Sequence, residues 1–304
     1  MFDLLIPGEI NPDLILSGDV EPQFGQVEKL VDSAVLTVGS SSVITACGAA
    51  RLGLRVAFVG VCGNDLFGRF MLEEMTKHSV DVSAVRLDPA QKTGLTVILN
   101  KVHDRAMLTF PGAIPALRAE EVTDDLLCRA RHLHVASYFL QNALRPGLPD
   151  LFTRARALGL TTSLDTNWDP SGLWEGVREL LPLVDVFLPN RAEACALTGQ
   201  DEVERAAEEL AQQARIVAVK MGADGALAMT AKKTEKARLA SIPVRVVDTV
   251  GAGDTFNAGF LYGFLHGWSL ERSLRLAIVC GALSTRAAGG TSSQPTYEEA
   301  LEFL

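Results

Sequence analysis

Asp248-Thr249-Val250-Gly251-Ala252-Gly253-Asp254-Thr255-Phe256 follows the apolar run Val244–Val247 and leads without a break into Asn257-Ala258-Gly259-Phe260-Leu261-Tyr262-Gly263-Phe264-Leu265. Phe256, Phe260 and Phe264 recur every four residues with Leu261 and Leu265 beside them, so a buried helix is expected to begin near Gly253. Its first turn, 251–253, carries almost no side chain. Unpaired backbone N–H groups there are open to an anion, and the helix dipole adds positive potential. Asp254 would compete with that anion unless it has chemistry to do. A carboxylate in this position can take the proton of an attacking hydroxyl, the one proton transfer that phosphoryl transfer requires. The plain alternative is a tight strand-to-helix turn at Gly251 and Gly253 with Asp254 capping the helix.

Working outward, apolar strands at Leu133–Ala136, Thr161–Leu164, Val184–Leu188 and Ile216–Val219 alternate with helical stretches such as 201–214. Val244–Val247 reads as a further strand. This is the pattern of a parallel sheet covered on both faces, in which ligands bind beyond the carboxyl ends of the strands. Those ends are rich in chemistry: Asp165-Thr166-Asn167-Trp168, Pro189-Asn190-Arg191-Ala192-Glu193 and Lys220-Met221-Gly222-Ala223-Asp224-Gly225. Asn190 and Glu193 can reach one site, with Glu193 orienting water on Mg²⁺, or they can simply form a capping box. Lys220 can face phosphates or be an ordinary exposed lysine, and Gly222 and Gly225 can merely form a turn. Residues 12–38 and 92–110 differ in character: they are short β-like runs such as Leu14-Ile15-Leu16, Ala34–Val38 and Leu95–Leu99, with no convincing long helix between them, and suggest a small sheet.

The 304 residues are 48% hydrophobic and 21% charged, enough for a large core and incompatible with disorder or a coiled coil. Lys plus Arg number 28 against 37 Asp plus Glu, a formal net charge of −9 that disfavours nucleic acid and anionic lipid as partners. With no basic segment ahead of an apolar run, and no stretch apolar for the ~18 residues a membrane span needs, a cytoplasmic protein is expected. Five cysteines lie far apart, indicating neither disulfides nor a zinc site, and read as small apolar filler. His132 and His134 share one face of a strand, a spacing that can hold a metal or that marks a strand end with polar residues turned outward.

Taken in order, these pieces resemble the ribokinase-like (PfkB) carbohydrate kinases. Asp248–Phe256 is similar to their C-terminal signature. Asn190-x-x-Glu193, Lys220-x-Gly222-x-x-Gly225 and, in the N-terminal third, Val59-Gly60-Val61-Cys62-Gly63-Asn64-Asp65-x-x-Gly68 fall in family order, so that the resemblance covers nearly the whole chain. It implies an α/β fold, a ribokinase-like three-layer sandwich with a mainly parallel central sheet, as one domain over 1–304 with a small β-lid from segments at approximately 12–38 and 92–110. It implies an ATP-dependent phosphotransferase acting on a hydroxymethyl group of a sugar or sugar derivative. Asp254 is then the catalytic base, and the backbone of Gly251, Ala252 and Gly253 the anion hole. Asn190 and Glu193 match the pair associated with Mg²⁺ and phosphate, Glu193 acting on Mg²⁺ through water. Lys220, Gly222 and Gly225 match the nucleotide-phosphate strand end, and Asp248 with the backbone of Val250 falls where many members bind a monovalent cation such as K⁺. Lid strands in the family cover the sugar, and a homodimer through the lid is expected. Lid closure would exclude water.

For the sugar, Gly8-x-x-x-x-Asp13 matches the pattern whose Asp holds substrate hydroxyls, and a carboxylate accepts two of them. An exposed turn aspartate after Asn11-Pro12 is the alternative. The family's Gly-Gly-x-x-x-Asn is replaced by Gly39-Ser40-Ser41-Ser42-Val43-Ile44. Ile44 cannot supply the hydrogen bonds of an Asn, so it faces an apolar part of a different substrate or has passed the role to Ser41, Ser42 or Asn11. Gly39, Ser40 and Ser41 remain on the substrate side of this reading. Arg105, in His103-Asp104-Arg105-Ala106-Met107, reaches an anionic group such as a sugar-acid carboxylate or phosphate, or is an exposed strand arginine. Asp165 and Asn167 resemble the family's Asp-x-Asn and contact substrate or the metal shell, or brace their loop through Trp168. A nucleoside kinase would need a more aromatic lid than Phe24 and Phe110 offer. A sugar-binding sensor without catalysis would not need Asp254, and a nicotinamide dehydrogenase would need a G-x-G-x-x-G that is missing after the first strand.

Overall fold

The computed structural model describes residues 1–101, 105–231 and 234–304; His103 and Asp104, in the second expected lid segment, lie outside them. Among the described residues the strands are β1 (Leu4–Pro7), β2 (Pro12–Ser17), β3 (Ser33–Val38), β4 (Val56–Gly63), β5 (Val80–Asp88), β6 (Leu95–Asn100) and β7 (Arg105–Phe110), then β8 (His132–Val135), β9 (Thr161–Leu164), β10 (Val186–Phe187), β11 (Ile216–Lys220), β12 (Ala226–Thr230) and β13 (Lys236–Leu239). Nine of them form a sheet in the order β13-β12-β11-β10-β9-β8-β1-β4-β5, and four form a smaller sheet, β3-β2-β6-β7.

From β11 across to β5 every pairing in the large sheet is parallel, and β12 runs antiparallel to both β11 and β13 at the far edge. Its strands bury alternate residues on two faces. Leu5, Val135, Phe187 and Val217 pack on one side with Phe152, Leu197 and Leu210 from helices, while Leu4, Ile6, Val186 and Ala218 pack on the other with Val43, Phe260 and Leu274. Burial on both faces is why these segments read as continuous apolar runs. The result is the expected three-layer α/β sandwich. The chain builds outward from β1 in one direction through β4 and β5 and in the other through β8 to β11, so the crevice of the sheet opens at the ends of β1 and β8.

The smaller sheet lies where the two β-like runs placed it. Ile15 of β2 and Ile98 of β6 pack on Val250, joining this sheet to the loop before Gly251. Its opposite face leaves Leu36, Leu108 and Phe110 more than a third exposed.

Four expectations need correction. Between the two β-like runs the chain does form helices, Ser41–Arg51 and Leu66–Lys77. The first is buried from Ser42 to Ala49 on all sides and so has no polar face to betray a period. The second buries only Gly68, Met71 and Met75. Val244–Val247 forms no strand: it follows Pro243, exposes Val246 and Val247, and the sheet edge is taken by β13. His132 and His134 are fully buried in β8 rather than turned outward. They share the hydroxyls of Thr161 and Ser163 at 2.7 Å, burial holds both imidazoles below their ordinary pKa, His134 at about 4, and no metal-holding cluster exists among the described residues. Cys47, Cys62 and Cys280 are buried filler, but Cys128 is exposed and Cys195 half-buried.

The helix Ala252–Leu265 is clamped to the following helix, Leu270–Ser284, at Gly259, where a Cβ would stand 2.9 Å from the Ala277 Cα and 3.0 Å from the Leu276 carbonyl oxygen. Both obstacles are backbone. Gly259→Ala will therefore destabilise the protein by roughly 1–3 kcal/mol instead of adding the ~1 kcal/mol that alanine brings to an open helix. Urea denaturation of the variant checks this, and a raised midpoint would contradict the packing described.

Candidate active site

The functional side chains are carried by strand ends around the crevice. A polar cleft of about 770 Å³ is lined by Glu9, Asn11 and Asp13 after β1, Ser40 and Ser41 at a helix start, Ser137 after β8, Asp165 and Asn167 after β9, Asn190 and Glu193 after β10, Lys220 at the end of β11, and Gly251, Gly253 and Asp254. The smaller sheet closes it with Thr96, Ile98, Arg105, Met107 and Thr109. A second, apolar cleft of about 280 Å³ lies beside it, formed by Val244, Val246, Ala252, Phe256, Ile278 and Ala282 with Gly222 and Gly225. Lys220, Gly222, Thr249 and Gly253 line both. The small-residue turn therefore sits at the junction of a polar and an apolar compartment.

The turn has the expected form. Gly251 has φ 72°, a left-handed conformation that L side chains rarely adopt, and it precedes the helix Ala252–Leu265, which no side chain caps. Asp254 is not the cap; it lies in the first turn, 8% exposed. Gly253 faces Lys220, whose Nζ would be 3.6 Å from a Cβ placed there.

Charge is crowded at this junction. Lys220 Nζ donates to Asp165 Oδ2 at 2.6 Å and to Asn257 Oδ1 at 3.3 Å, and Asn257 Nδ2 donates to the same Asp165 oxygen at 2.6 Å. Burial pulls the Lys220 ammonium down, but the charges of Asp165, Glu193 and Asp254 outweigh it and hold it above its ordinary value. Burial, with the charge of Asp165, lifts Asp254 to about 8 against the pull of Lys220, and lifts Glu193 to about 7. Lys220 is thus no ordinary exposed lysine.

Asn190 and Glu193 satisfy the capping-box reading: Glu193 N–H donates to Asn190 Oδ1 at 2.9 Å and Asn190 N–H to Glu193 Oε2 at 2.8 Å. Both nevertheless line the polar cleft, so the box also aims the pair. Among the described residues no three acidic, histidine or cysteine side chains converge as a metal cage. That donor set fits Mg²⁺, which keeps waters and takes phosphate oxygens, with Glu193 reaching it through water. It also leaves a surplus of negative charge for a divalent cation to offset.

On the opposite side, Asp13 is a buried strand residue, not an exposed turn aspartate; burial lifts it to about 7, the charge of Arg105 opposes the rise and Asp248 adds to it. Arg105 is solvent-exposed on β7 and at the same time lines the cleft. Gly39 does not line the cleft; a Cβ there would strike the Asp13 carboxylate, so it makes room for Asp13. Ile44 is 3% exposed and packs against Gly251 and Gly290, filling space beside the turn. Asp248 spends both oxygens on backbone, accepting from Val250 N–H at 3.0 Å and Gly289 N–H at 2.9 Å. Phe24 and Phe110 line neither cleft. Glu9 and Asn257 carry no motif that marks them as part of the site. Glu9 gives no signal beyond its place after the first strand, and Asn257 is hidden as a polar residue inside an apolar helix.

Residues 3–297 match the pfkB family of carbohydrate kinases. The 2-dehydro-3-deoxygluconokinase of Bacillus subtilis (strain 168) is 36% identical over 276 residues, 85% of this chain and 84% of that protein. Arabidopsis thaliana ribokinase complexed with ribose and ATP has the same fold, with a TM-score of 0.85 at 22% identity over 99% of this chain and 98% of that one. A fructokinase double mutant from Vibrio cholerae O395, bound to fructose, ADP and potassium ion, gives 0.83 at 26% identity over 100% and 98%.

The raised Asp254 carboxyl has a consequence for stability. Its folded pKa of about 8 exceeds the unfolded value, so its contribution is present in full below the unfolded pKa and is lost as pH rises through about 8. Asp254→Asn, which cannot ionise, will gain in melting temperature over the parent protein between pH 5 and pH 9. Thermal denaturation across that range tests it, and a gap that stays constant or narrows would contradict the burial of a charge here.

Proposed function

The chain belongs to the pfkB family of carbohydrate kinases, and from that premise we propose how its residues divide the reaction. The donor is ATP, its phosphates at the junction of the two clefts and its base in the apolar one. The acceptor is a hydroxymethyl group of a sugar or sugar derivative in the polar cleft. Asp254 takes the hydroxyl proton as the oxygen attacks the γ-phosphorus. The backbone N–H groups of Gly251, Ala252 and Gly253 receive the developing charge on the transferred group. Lys220 faces the phosphates beside Gly253, with Gly222 and Gly225 leaving them room. Mg²⁺, when bound, neutralises phosphate oxygens, with Asn190 and Glu193 on its water shell. A monovalent cation such as K⁺ near Asp248 and the Val250 carbonyl would steady the turn, and the potassium-bound fructokinase relative supports this placement.

One observation carries the reading: Asp254 lies in the first turn after the amide-lined loop, on the polar side of a junction that opens to both compartments. A general base needs access to the acceptor and proximity to the phosphoryl group, and this is where both are available.

For the acceptor, Asp13 and Asn11 offer partners for hydroxyls, while Arg105 offers a fork for a carboxylate. A sugar acid is therefore the favoured class, and the name of the Bacillus subtilis relative supports it. Ile44, packed beside the turn, asks for no hydroxyl. The smaller sheet acts as the lid. Its outward Leu36, Leu108 and Phe110 pair with a second copy in a homodimer, and five cysteines without disulfide partners accord with the cytoplasm.

Asp254→Asn will lower kcat by roughly 10²–10⁴ with little change in the KM for ATP. In the parent enzyme kcat/KM will rise with pH through about 8, because the base must lose its proton. A coupled ADP-release assay measures both, and an Asp254→Asn variant as fast as the parent would overturn the assignment. The same assay run over pentoses, hexoses, sugar acids, sugar phosphates and nucleosides will give its highest kcat/KM on a sugar acid. Arg105→Ala will raise that substrate's KM about tenfold; turnover confined to nucleosides would defeat this choice of acceptor.

A further inference from the structure

Three of the six described non-glycine residues with positive φ lie together in the polar cleft: Ser40 at 66°, Ser137 at 50° and Asn167 at 53°. Such conformations cost roughly 1–3 kcal/mol each and persist where surrounding contacts over-determine them. For Ser40 and Ser137 the contacts converge on Glu9, which is 2% exposed. Its Oε1 accepts from the Ser137 hydroxyl at 2.9 Å and the Ser42 N–H at 3.2 Å, its Oε2 accepts from the Ser42 hydroxyl at 2.5 Å, and the Ser40 hydroxyl is shared between the Glu9 carbonyl oxygen at 2.7 Å and Oε1 at 3.0 Å. The Ser40 hydroxyl also accepts from Val43 N–H at 3.1 Å, capping the helix Ser41–Arg51. That helix has no acidic residue in its own first turn, and Glu9 supplies one from another segment.

What this network fixes in place is Ser41. Its Oγ accepts from Asn167 Nδ2 at 2.6 Å, which occupies a lone pair and leaves its own proton to be directed elsewhere. Ser41 lines the same polar cleft as Asp254, where its hydroxyl acts to lower the Asp254 carboxyl. Asn167 is itself held, accepting from Ser137 N–H at 3.2 Å and donating its N–H to Asp165 Oδ1 at 3.1 Å. The two helices that carry Ser41 and Asp254 are tied as well. Thr45 Oγ1 donates to the Asp254 carbonyl at 3.3 Å, and Gln294 Nε2 bridges the Ile44 carbonyl at 2.9 Å and Thr255 Oγ1 at 3.0 Å.

We infer that Ser41 is a positioning residue for Asp254, holding one carboxylate oxygen so that the other meets the acceptor hydroxyl, and that Glu9 with Ser40, Ser42 and Ser137 anchors it. The inference rests on Asp254 being the base. The charged groups facing Asp254 are Asp165 from the end of β9, Lys220 from β11 and Glu9 after β1. Ser41 is the uncharged partner among them, so its removal changes one hydrogen bond and no charge.

A hydrogen bond to the carboxylate favours the ionised form. Ser41→Ala will therefore move the acid limb of the kcat/KM profile to higher pH, by about half a unit to one unit, and lower kcat at neutral pH about 3- to 10-fold. The KM for ATP stays as in the parent, and Ser41→Thr, which keeps the hydroxyl, restores the parent limb. Glu9→Gln would remove a negative charge that itself raises Asp254, an effect opposed to the loss of the anchor, so the two Ser41 variants alone decide. A Ser41→Ala profile that overlies the parent's sinks the inference. Asp254→Asn in the same assay separates the two failures: if it is inactive while Ser41→Ala is unmoved, only Ser41 is wrongly placed, and if it is fully active, the base itself is misassigned.

Discussion

One ammonium faces three carboxylates in a place with little water. Lys220 bonds Asp165 and feels Glu193 and Asp254 beside it, and each of these groups comes from the end of a different element. The arrangement is stable only as a set. Taken singly, a buried Asp254 or Glu193 would strongly resist ionising, and a buried Lys220 would lose its charge. Parallel strands ending at one level make such a set possible, because β9, β10 and β11 deliver their following residues to the same crevice. The rest of the polar cleft is arranged around this knot, with the amide-lined turn on one flank and Asp13 and Arg105 on the other.

That same crowding explains why the site carries tension with stability. Asp254 is lifted to about 8 by burial and by Asp165, so the protein keeps at its centre a group that would be easier to hold as an amide. Local rules are also broken nearby, at Ser40, Ser137 and Asn167, each in a backbone conformation better suited to glycine. Conflicts of this kind gather where function outweighs fold. Elsewhere the apolar strands, and the small residues where helices touch, follow the local rules.

How much of this was legible follows from the same physics. The parallel strands could be read because burial on both faces leaves an unbroken apolar signature, and the residues just beyond them could be picked out because topology sends ligands there. The turn at Gly251 was visible from its lack of side chains and the phenylalanine period behind it. The helix Ser41–Arg51 was not visible, since burial on every side erases the polar face that marks a period. Val244–Val247 has the composition of a strand, and only the competition for a sheet edge, a tertiary matter, decides against it. Glu9 escaped because one acidic residue after one glycine carries no pattern; its importance comes from serines 31, 33 and 128 positions away.

Ile15 and Ile98 of the smaller sheet grip Val250, the residue immediately before the left-handed glycine of the turn. A side chain so held cannot stay put while its neighbours tilt. Were that sheet to move over the cleft, the peptide units of the turn would move with it, with no long wire between them. Thermodynamic reciprocity would then make any coupling between ligands on the two sides of the turn equal in both directions. Such a link needs no second subunit, only one valine shared by the smaller sheet and the turn.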